Sequence, residues 1–124
     1  MKLRQLITLI TLSLFAISCN NNGKFTSMDI EAFGRAISKP DVQLVDVRTP
    51  AEYDHGHIPG AINIDVSAAD FAQKILTLDP KHTVAVYCRS GRRSKSAAET
   101  LAKAGFKVVE LNSGIISWRG SLEN

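Results

Sequence analysis

The stretch Tyr87-Cys88-Arg89-Ser90-Gly91-Arg92-Arg93-Ser94 decides the fold and gives the first indication of chemistry. An apolar run at residues 84–87 leads into it, and an alanine-rich segment at residues 96–102 leads out of it. This pattern predicts a buried strand, a tight turn and a helix, with Cys88 where the strand ends. The nearby basic residues are Arg89, Arg92, Arg93 and Lys95. The loop is therefore predicted to bind an anion and to hold a reactive thiolate.

Strands and helices are predicted to alternate along the rest of the chain. Strands are expected at residues 42–47, 61–64, 83–87 and 107–111. Helices are expected from a Thr26 cap to Lys39, from a Thr49 cap through Pro50, and at residues 67–78, 94–104 and 114–118. Such alternation predicts an α/β domain with a mostly parallel sheet covered by helices on both faces. Ligands of such sheets bind outside the carboxyl ends of the strands, where Cys88 and residues 46–48 are both expected.

The chemistry of the loop depends on whether Cys88 can ionise. A free cysteine titrates near pH 8.5, so a useful nucleophile needs its pKa lowered by about two units, or roughly 2.7 kcal/mol. A helix N-terminus supplies only about 0.3–1 kcal/mol, and the N–H groups of a tight turn add to it. Gly91 permits the backbone angles of such a turn, and the arginines add positive charge. We therefore infer a stabilised thiolate at Cys88.

The N-terminus is interpreted as a signal peptide over residues 1–18, because two basic residues precede a mostly apolar run at residues 6–17. The sequence Ala16-Ile17-Ser18-Cys19 resembles a bacterial lipobox, so Cys19 is predicted to carry a lipid. Residues 19–24 would then form a polar tether and residues 25–124 the domain. Export to the periplasm or cell envelope, with a membrane anchor at Cys19, is expected. A buried N-terminal helix, or ordinary cleavage with Cys19 left free, are the alternatives.

Cysteine count and charge narrow the class of substrate. The chain has two cysteines, so lipidation of Cys19 leaves Cys88 as a thiol without a disulfide partner. An inert buried cysteine is the alternative, but it fits poorly beside four cationic side chains. The net charge is +3, of which Lys2 and Arg4 contribute two, so the positive charge of the domain is concentrated in the loop. This favours a small anionic substrate over nucleic acid, which would need a broader basic face with aromatic residues.

Three ordered motifs resemble those of rhodanese-like domains, and the resemblance covers about residues 25–120. They are residues 46–61 (DVRTPAEYDHGHIPGA), the Cys88 loop, and residues 111–118 (LNSGIISW), in which Ser113 stands where a second glycine is usual. The resemblance implies a small three-layer rhodanese-like fold and a sulfurtransferase of the thiosulfate type. Cys88 would take a sulfane sulfur from an anionic donor as a persulfide and pass it to a thiol or to cyanide. No metal or organic cofactor is implied.

The resemblance also assigns roles to residues around Cys88. Backbone N–H groups of Arg89, Ser90, Gly91, Arg92 and Arg93 would cradle the sulfur, and Arg89 with Arg92 or Arg93 would hold the donor. Asp46 and Arg48 are expected to pair with each other or with the backbone and brace the loop, and a direct contact with the substrate is the alternative. His57 is expected to hydrogen-bond within its turn. His55 and His57 have a spacing that suggests a metal, but no third ligand is nearby, so no metal site is expected.

Two other classes of function stay open at this point. A persulfide carrier or protein-interaction module, with another protein as sulfur donor or acceptor, would use the same loop. Phosphatases and arsenate reductases of related architecture have a loop one residue longer, with arginine six places after the cysteine. The sixth place here is Ser94. The domain is expected to be a monomer.

Overall fold

The strand that leads into Cys88 lies at the centre of a five-stranded parallel sheet in the computed structural model, which describes residues 22–124. The strands are β1 (Thr26–Met28), β2 (Gln43–Asp46), β3 (Ile62–Asn63), β4 (Val84–Tyr87) and β5 (Val108–Leu111). The helices are α1 (Ile30–Ile37), α2 (Pro50–Asp54), α3 (Phe71–Lys74) and α4 (Arg92–Lys103), with 3₁₀ turns at Ile75–Thr77 and Ile115–Ser117. The sheet order is β1-β5-β4-β2-β3, and every pairing is parallel.

Alternate residues of the strands bury two separate cores, one on each face of the sheet. On one face Val84, Val86 and Cys88 pack with α3 and α4. On the other face Ala85 and Tyr87 pack with Phe33 of α1. A sheet covered on both faces must be apolar on both, which explains the continuous apolar run of β4. The predicted three-layer α/β fold with a parallel sheet is confirmed.

The helix after the cysteine loop sits close to the sheet because its inner face is made of small residues. Ala97, Ala98 and Ala102 are fully buried together with Leu101. The helix begins two residues earlier than the predicted range, because Arg92 and Arg93 already belong to its first turn. Its start therefore lies directly at the end of the Cys88 loop.

Two predictions about the elements before that loop are wrong. Residues 26–28 form edge strand β1 beside β5, and the helix after it is capped by Asp29, whose Oδ1 accepts from the Ala32 N–H at 2.8 Å. Thr26 is therefore not a cap. The helix expected over residues 67–78 is reduced to α3 and a 3₁₀ turn, because Asp65 Oδ1 accepts from the N–H and hydroxyl of Ser67 and holds the chain in a turn.

The predictions that concern the N-terminus lie outside the described residues. These are the signal peptide over residues 1–18, lipidation at Cys19 and the first part of the tether. No helix within residues 22–124 has the length and apolar character needed to cross a bilayer. Export, lipidation and the boundaries of the three segments stay predictions.

Replacing Asp29 by alanine should lower the free energy of unfolding by about 1 kcal/mol, because the Ala32 N–H loses its acceptor. Thr26→Val is the matched control. It removes the hydroxyl that a cap would use but keeps a β-branched side chain in β1, so it should cost less than about 0.5 kcal/mol. Urea denaturation measures both values. A larger loss for Thr26→Val than for Asp29→Ala would contradict this helix start.

Candidate active site

The turn between β4 and α4 brings backbone N–H groups onto the sulfur of Cys88. Gly91 lies in the left-handed region with φ of 95°, and a Cβ at this position would collide with the backbone oxygen of Asn112. Only glycine meets both constraints without strain. The turn directs the Gly91 N–H to Cys88 Sγ at 3.1 Å. The loop therefore holds the sulfur at its base, as the sequence predicted for a tight turn at Gly91.

The segment after β5 holds the loop from the other side. The N–H of Ile115 donates to the Cys88 carbonyl at 2.9 Å, and the N–H of Ile116 donates to the Arg89 carbonyl at 3.2 Å. Gly114 has φ of 74°, and a Cβ there would collide with the Arg89 carbonyl. Ser113, which replaces the second glycine of the usual motif, is outside the positive-φ region, and its hydroxyl is 2.5 Å from that of Ser117. A side chain is therefore tolerated at residue 113 but not at residue 114.

The surroundings of Cys88 favour its ionised form. Burial is the largest influence and by itself would raise the pKa of the thiol, since the residue is only 1% exposed. The Ser94 hydroxyl, whose Oγ lies 3.4 Å from Sγ, and hydrogen bonds from the backbone N–H groups of Ser94, Gly91 and Ser90 act in the opposite direction. Together they bring the pKa of Cys88 below its ordinary value. Cys88 is a free thiol in the structure.

The three arginines of the loop have different surroundings. The side chains of Arg89 and Arg92 are exposed and, among residues 22–124, form no ion pair. Arg93 instead makes a two-pronged contact with Glu52 of α2, with N–O distances of 2.7 and 2.9 Å. The bond from Arg93 is the main cause that lowers the pKa of Glu52 to about 2. The guanidinium of Arg93 is thus already occupied by a carboxylate.

The predicted pair between Asp46 and Arg48 is present, on the opposite face of the sheet from Cys88. Arg48 Nε and Nη2 donate to the two Asp46 oxygens at 3.0 and 2.6 Å, and Nη2 also donates to the Gly56 carbonyl at 2.7 Å. The guanidinium lies 5.9 Å from the ring centre of Tyr87, the residue before the cysteine. The pair therefore braces the end of β4 from behind, and it does not touch the sulfur.

His57 has the local role that was predicted for it. Its Nδ1 lies 3.0 Å from the Tyr53 carbonyl, and its ring stacks on Tyr53 with centroids 3.7 Å apart. Its backbone pairs with Glu123 near the C-terminus. His55 is exposed, with Nδ1 at 2.6 Å from the Ala51 carbonyl. Within the described part of the chain, no three potential metal ligands of the His, Cys, Asp or Glu type are grouped together.

Three functional-site residues were not identified from the sequence: Glu52, Ser94 and Glu110. Glu110 is fully buried in β5, and its carboxylate accepts from the hydroxyls of Ser94 and Ser27 at 2.5 and 2.6 Å. Lys95 Nζ lies 3.4 Å from the same carboxylate. A charged residue within a strand that is apolar on both sides was a signal that could have indicated this cluster.

Two cavities lie at the opposite end of the sheet from Cys88. They measure about 210 and 420 Å³ and share Thr26 and Lys107, which stand at the amino ends of β1 and β5. No cysteine or histidine lines them. The chemistry of the side chains, and not the size of a cavity, places the candidate active site at Cys88.

Most of the chain is similar to proteins of one family. The model of the rhodanese-like domain matches residues 29–121. YrkF of Bacillus subtilis, a putative sulfur carrier protein, is 32% identical over 108 residues, which are 86% of this chain and 57% of that protein. Thiosulfate sulfurtransferase PspE of Escherichia coli is 40% identical over 73 residues, which are 57% of this chain and 68% of that protein. A rhodanese-related protein from Thermoplasma volcanium has a crystal structure with a TM-score of 0.71 and 29% identity, covering 80% of this chain and 98% of that chain.

The contact between Glu52 and Arg93 should make stability depend on pH. The pKa of Glu52 is about 2 in the folded protein against an ordinary 4.5, so its ionised form stabilises the fold above about pH 4.5. This contribution is lost as the pH falls from about 4.5 towards 2. Glu52→Gln should therefore lower the free energy of unfolding by up to about 1 kcal/mol at pH 7 and by much less at pH 2.5.

Glutamine at residue 52 can still complete the capping box with Thr49, so the variant isolates the charge. Glu99→Gln, which removes an exposed pair with Lys103, is the matched control and should show a smaller difference. Urea denaturation at the two pH values supplies the numbers. If Glu52→Gln lowers the free energy of unfolding equally at both pH values, the loss is not due to the ionised Glu52–Arg93 contact.

Proposed function

The chain belongs to the family of rhodanese-like domains, and on that premise we propose that it is a sulfurtransferase that carries sulfur on Cys88. The substrate would be an anionic donor of sulfane sulfur such as thiosulfate, and the acceptor a thiol or cyanide. The observation that carries the proposal is the position of Cys88, at the base of a loop whose N–H groups and whose Ser94 hydroxyl favour the ionised sulfur.

The first half-reaction loads the cysteine. The Cys88 thiolate attacks the outer sulfur of thiosulfate, and a new S–S bond forms between the two sulfur atoms. The bond between the outer sulfur and the sulfonate breaks, and sulfite leaves with the bonding electron pair. Cys88 becomes a persulfide whose outer sulfur carries the negative charge, and the loop N–H groups are suited to bind such a charge.

The second half-reaction removes the outer sulfur from Cys88. Cyanide, or a thiolate, attacks the outer sulfur, and the S–S bond to Cys88 breaks. Thiocyanate, or a new persulfide on the acceptor, leaves, and the Cys88 thiolate is restored. The enzyme alternates between two covalent states, so ping-pong kinetics are expected.

Two of the three arginines of the loop are proposed to bind the donor, and the third has a structural role. Arg89 and Arg92 are exposed at the loop, so we assign the donor oxyanion to their guanidinium groups. The earlier prediction allowed Arg92 or Arg93 as the second ligand. Since Arg93 is paired with Glu52, we propose Arg92 for that role and give Arg93 the task of fixing α4 against α2.

A sulfur carrier that works with protein partners is the second candidate. It is supported by the similarity to YrkF, which is named as a putative sulfur carrier, and it uses the same persulfide. Phosphatase and arsenate reductase chemistry is less well supported. The sixth place after Cys88 holds Ser94, whose hydroxyl contacts Cys88 and Glu110, so no arginine stands there to bind a tetrahedral oxyanion.

The purified protein should convert thiosulfate and cyanide to sulfite and thiocyanate, and Cys88→Ser should abolish turnover because serine cannot form a persulfide. Arg89→Gln and Arg92→Gln should each raise KM for thiosulfate about tenfold, the value of one charge-assisted hydrogen bond. Arg35→Gln, on the exposed side of α1, is the matched control and should change neither constant.

A parallel assay with an aryl phosphate should show no release of phosphate above background. Turnover of thiosulfate by Cys88→Ser, or faster turnover of the aryl phosphate than of thiosulfate, would refute the proposal. Slow turnover of thiosulfate together with rapid sulfur uptake from a protein persulfide would favour the carrier.

A further inference from the structure

A buried carboxylate and the reactive sulfur share one hydroxyl group. Glu110 on β5 and Ser94 on α4 are both fully buried. Ser94 Oγ donates to Glu110 Oε2 at 2.5 Å and lies 3.4 Å from Cys88 Sγ. Glu110 is on the same face of the sheet as Cys88, since Val108 two residues before it packs in the same core as Cys88. No other carboxylate within the described residues is in hydrogen-bond contact with a group that also contacts the sulfur.

A hydroxyl has a single proton to donate, so Ser94 cannot donate to both neighbours at once. While Cys88 is a thiol, its S–H can donate to Ser94 Oγ, and the Ser94 proton is directed to Glu110. Once the sulfur is a thiolate it has no proton, and a hydroxyl that points to Glu110 leaves the thiolate with one donor fewer. The two arrangements of Ser94 therefore correspond to two charge states of Cys88.

We propose that Glu110 is a positioning residue that acts on Cys88 through Ser94. Its carboxylate accepts a hydrogen bond from the Ser94 hydroxyl while Sγ is uncharged, and the hydroxyl turns to donate to Sγ when Sγ is a thiolate. The inference rests on the proposed function for its meaning in turnover. In the persulfide, Sγ is an uncharged sulfur, so Ser94 donates to Glu110. After sulfur is passed on, Sγ is a thiolate again and Ser94 turns to it. Glu110 thus favours the loaded form over the empty one.

Other charged groups surround the pair and must be separated from this effect. Lys95 of α4 lies 3.4 Å from Glu110 and 3.0 Å from the Gly91 carbonyl. Arg93 of α4, paired with Glu52 of α2, interacts electrostatically with both Cys88 and Asp46 of β2. Arg89 belongs to the loop and Arg92 opens α4. A double-mutant cycle keeps all of these in place, so their contributions cancel.

The test is the rate of alkylation of Cys88 by iodoacetamide as a function of pH, in a Cys19→Ser background so that Cys88 is the only thiol. The pH at which this rate is half its maximum is the midpoint, and it reports the pKa of Cys88. Ser94→Ala removes a donor to the thiolate, so the midpoint should rise by about one pH unit, the value of one hydrogen bond to a charged group. Glu110→Gln weakens the competing acceptor, so the midpoint should fall by about half a unit. The double variant should match Ser94→Ala.

The pattern of the cycle distinguishes the proposal from a general effect of charge. If Glu110→Gln lowers the midpoint equally with and without Ser94, the carboxylate acts only through its field, and the proposal is wrong. The same holds if Glu110→Gln has no effect. Glu99→Gln, which removes an exposed carboxylate from α4, is the control and should leave the midpoint unchanged.

A second variant keeps the buried carboxylate in place, in case Glu110→Gln does not fold. Ser27→Ala removes the other hydroxyl that donates to Glu110, at the exposed edge of the sheet. The Glu110 carboxylate should then accept a stronger hydrogen bond from Ser94, which leaves that hydroxyl less available to the thiolate. The midpoint should therefore rise, but only when Ser94 is present. A rise that persists in Ser94→Ala, or no rise at all, would overturn the proposal. Alkylation needs no sulfur donor, so these outcomes are independent of whether thiosulfate is turned over.

Discussion

The left-handed turn at Gly91 is the constraint on which the site depends. It ends β4 and starts α4 within four residues of Cys88, and it is possible only because no side chain separates Gly91 from the Asn112 oxygen. The same turn directs the Gly91 N–H to the sulfur. Gly114 allows the segment after β5 to approach the Arg89 carbonyl in a similar way. Two glycines from distant parts of the chain thus allow one loop to close around a sulfur atom.

Two ion pairs around the loop stabilise this arrangement without contacting the sulfur. The Asp46–Arg48 pair supports Tyr87 from the face of the sheet opposite to Cys88, and the Glu52–Arg93 pair connects α2 to α4. Glu110 is connected to the sulfur through Ser94, whose Oγ donates to its carboxylate and lies 3.4 Å from Cys88 Sγ. A buried thiol is normally harder to ionise, so the donors that face Cys88 must more than offset its burial. Arg89 and Arg92 are exposed and form no ion pair among residues 22–124, which is why the proposed function assigns the donor to them.

Strong local patterns made most of the fold predictable. The strand, turn and helix around Cys88 and the Thr49 cap with Pro50 were predicted and are confirmed. Edge strand β1 was not predicted, because three residues with little burial have no periodic pattern, and their partner β5 is about 80 residues away in sequence. The role of Arg93 depends on a contact with Glu52 across 41 residues, which no local pattern contains. Glu110 was visible as a charge within an apolar strand, but its partner Ser94 becomes evident only once α4 is packed on β5.

The central claim is that Cys88 carries sulfur, and intact-mass spectrometry of the protein before and after thiosulfate treatment tests it most directly. The account predicts a gain of one sulfur atom, located on Cys88 by peptide mapping, absent from Cys88→Ser and reversed by cyanide. A protein whose mass does not change, or a sulfur found on Cys19 alone, would contradict it.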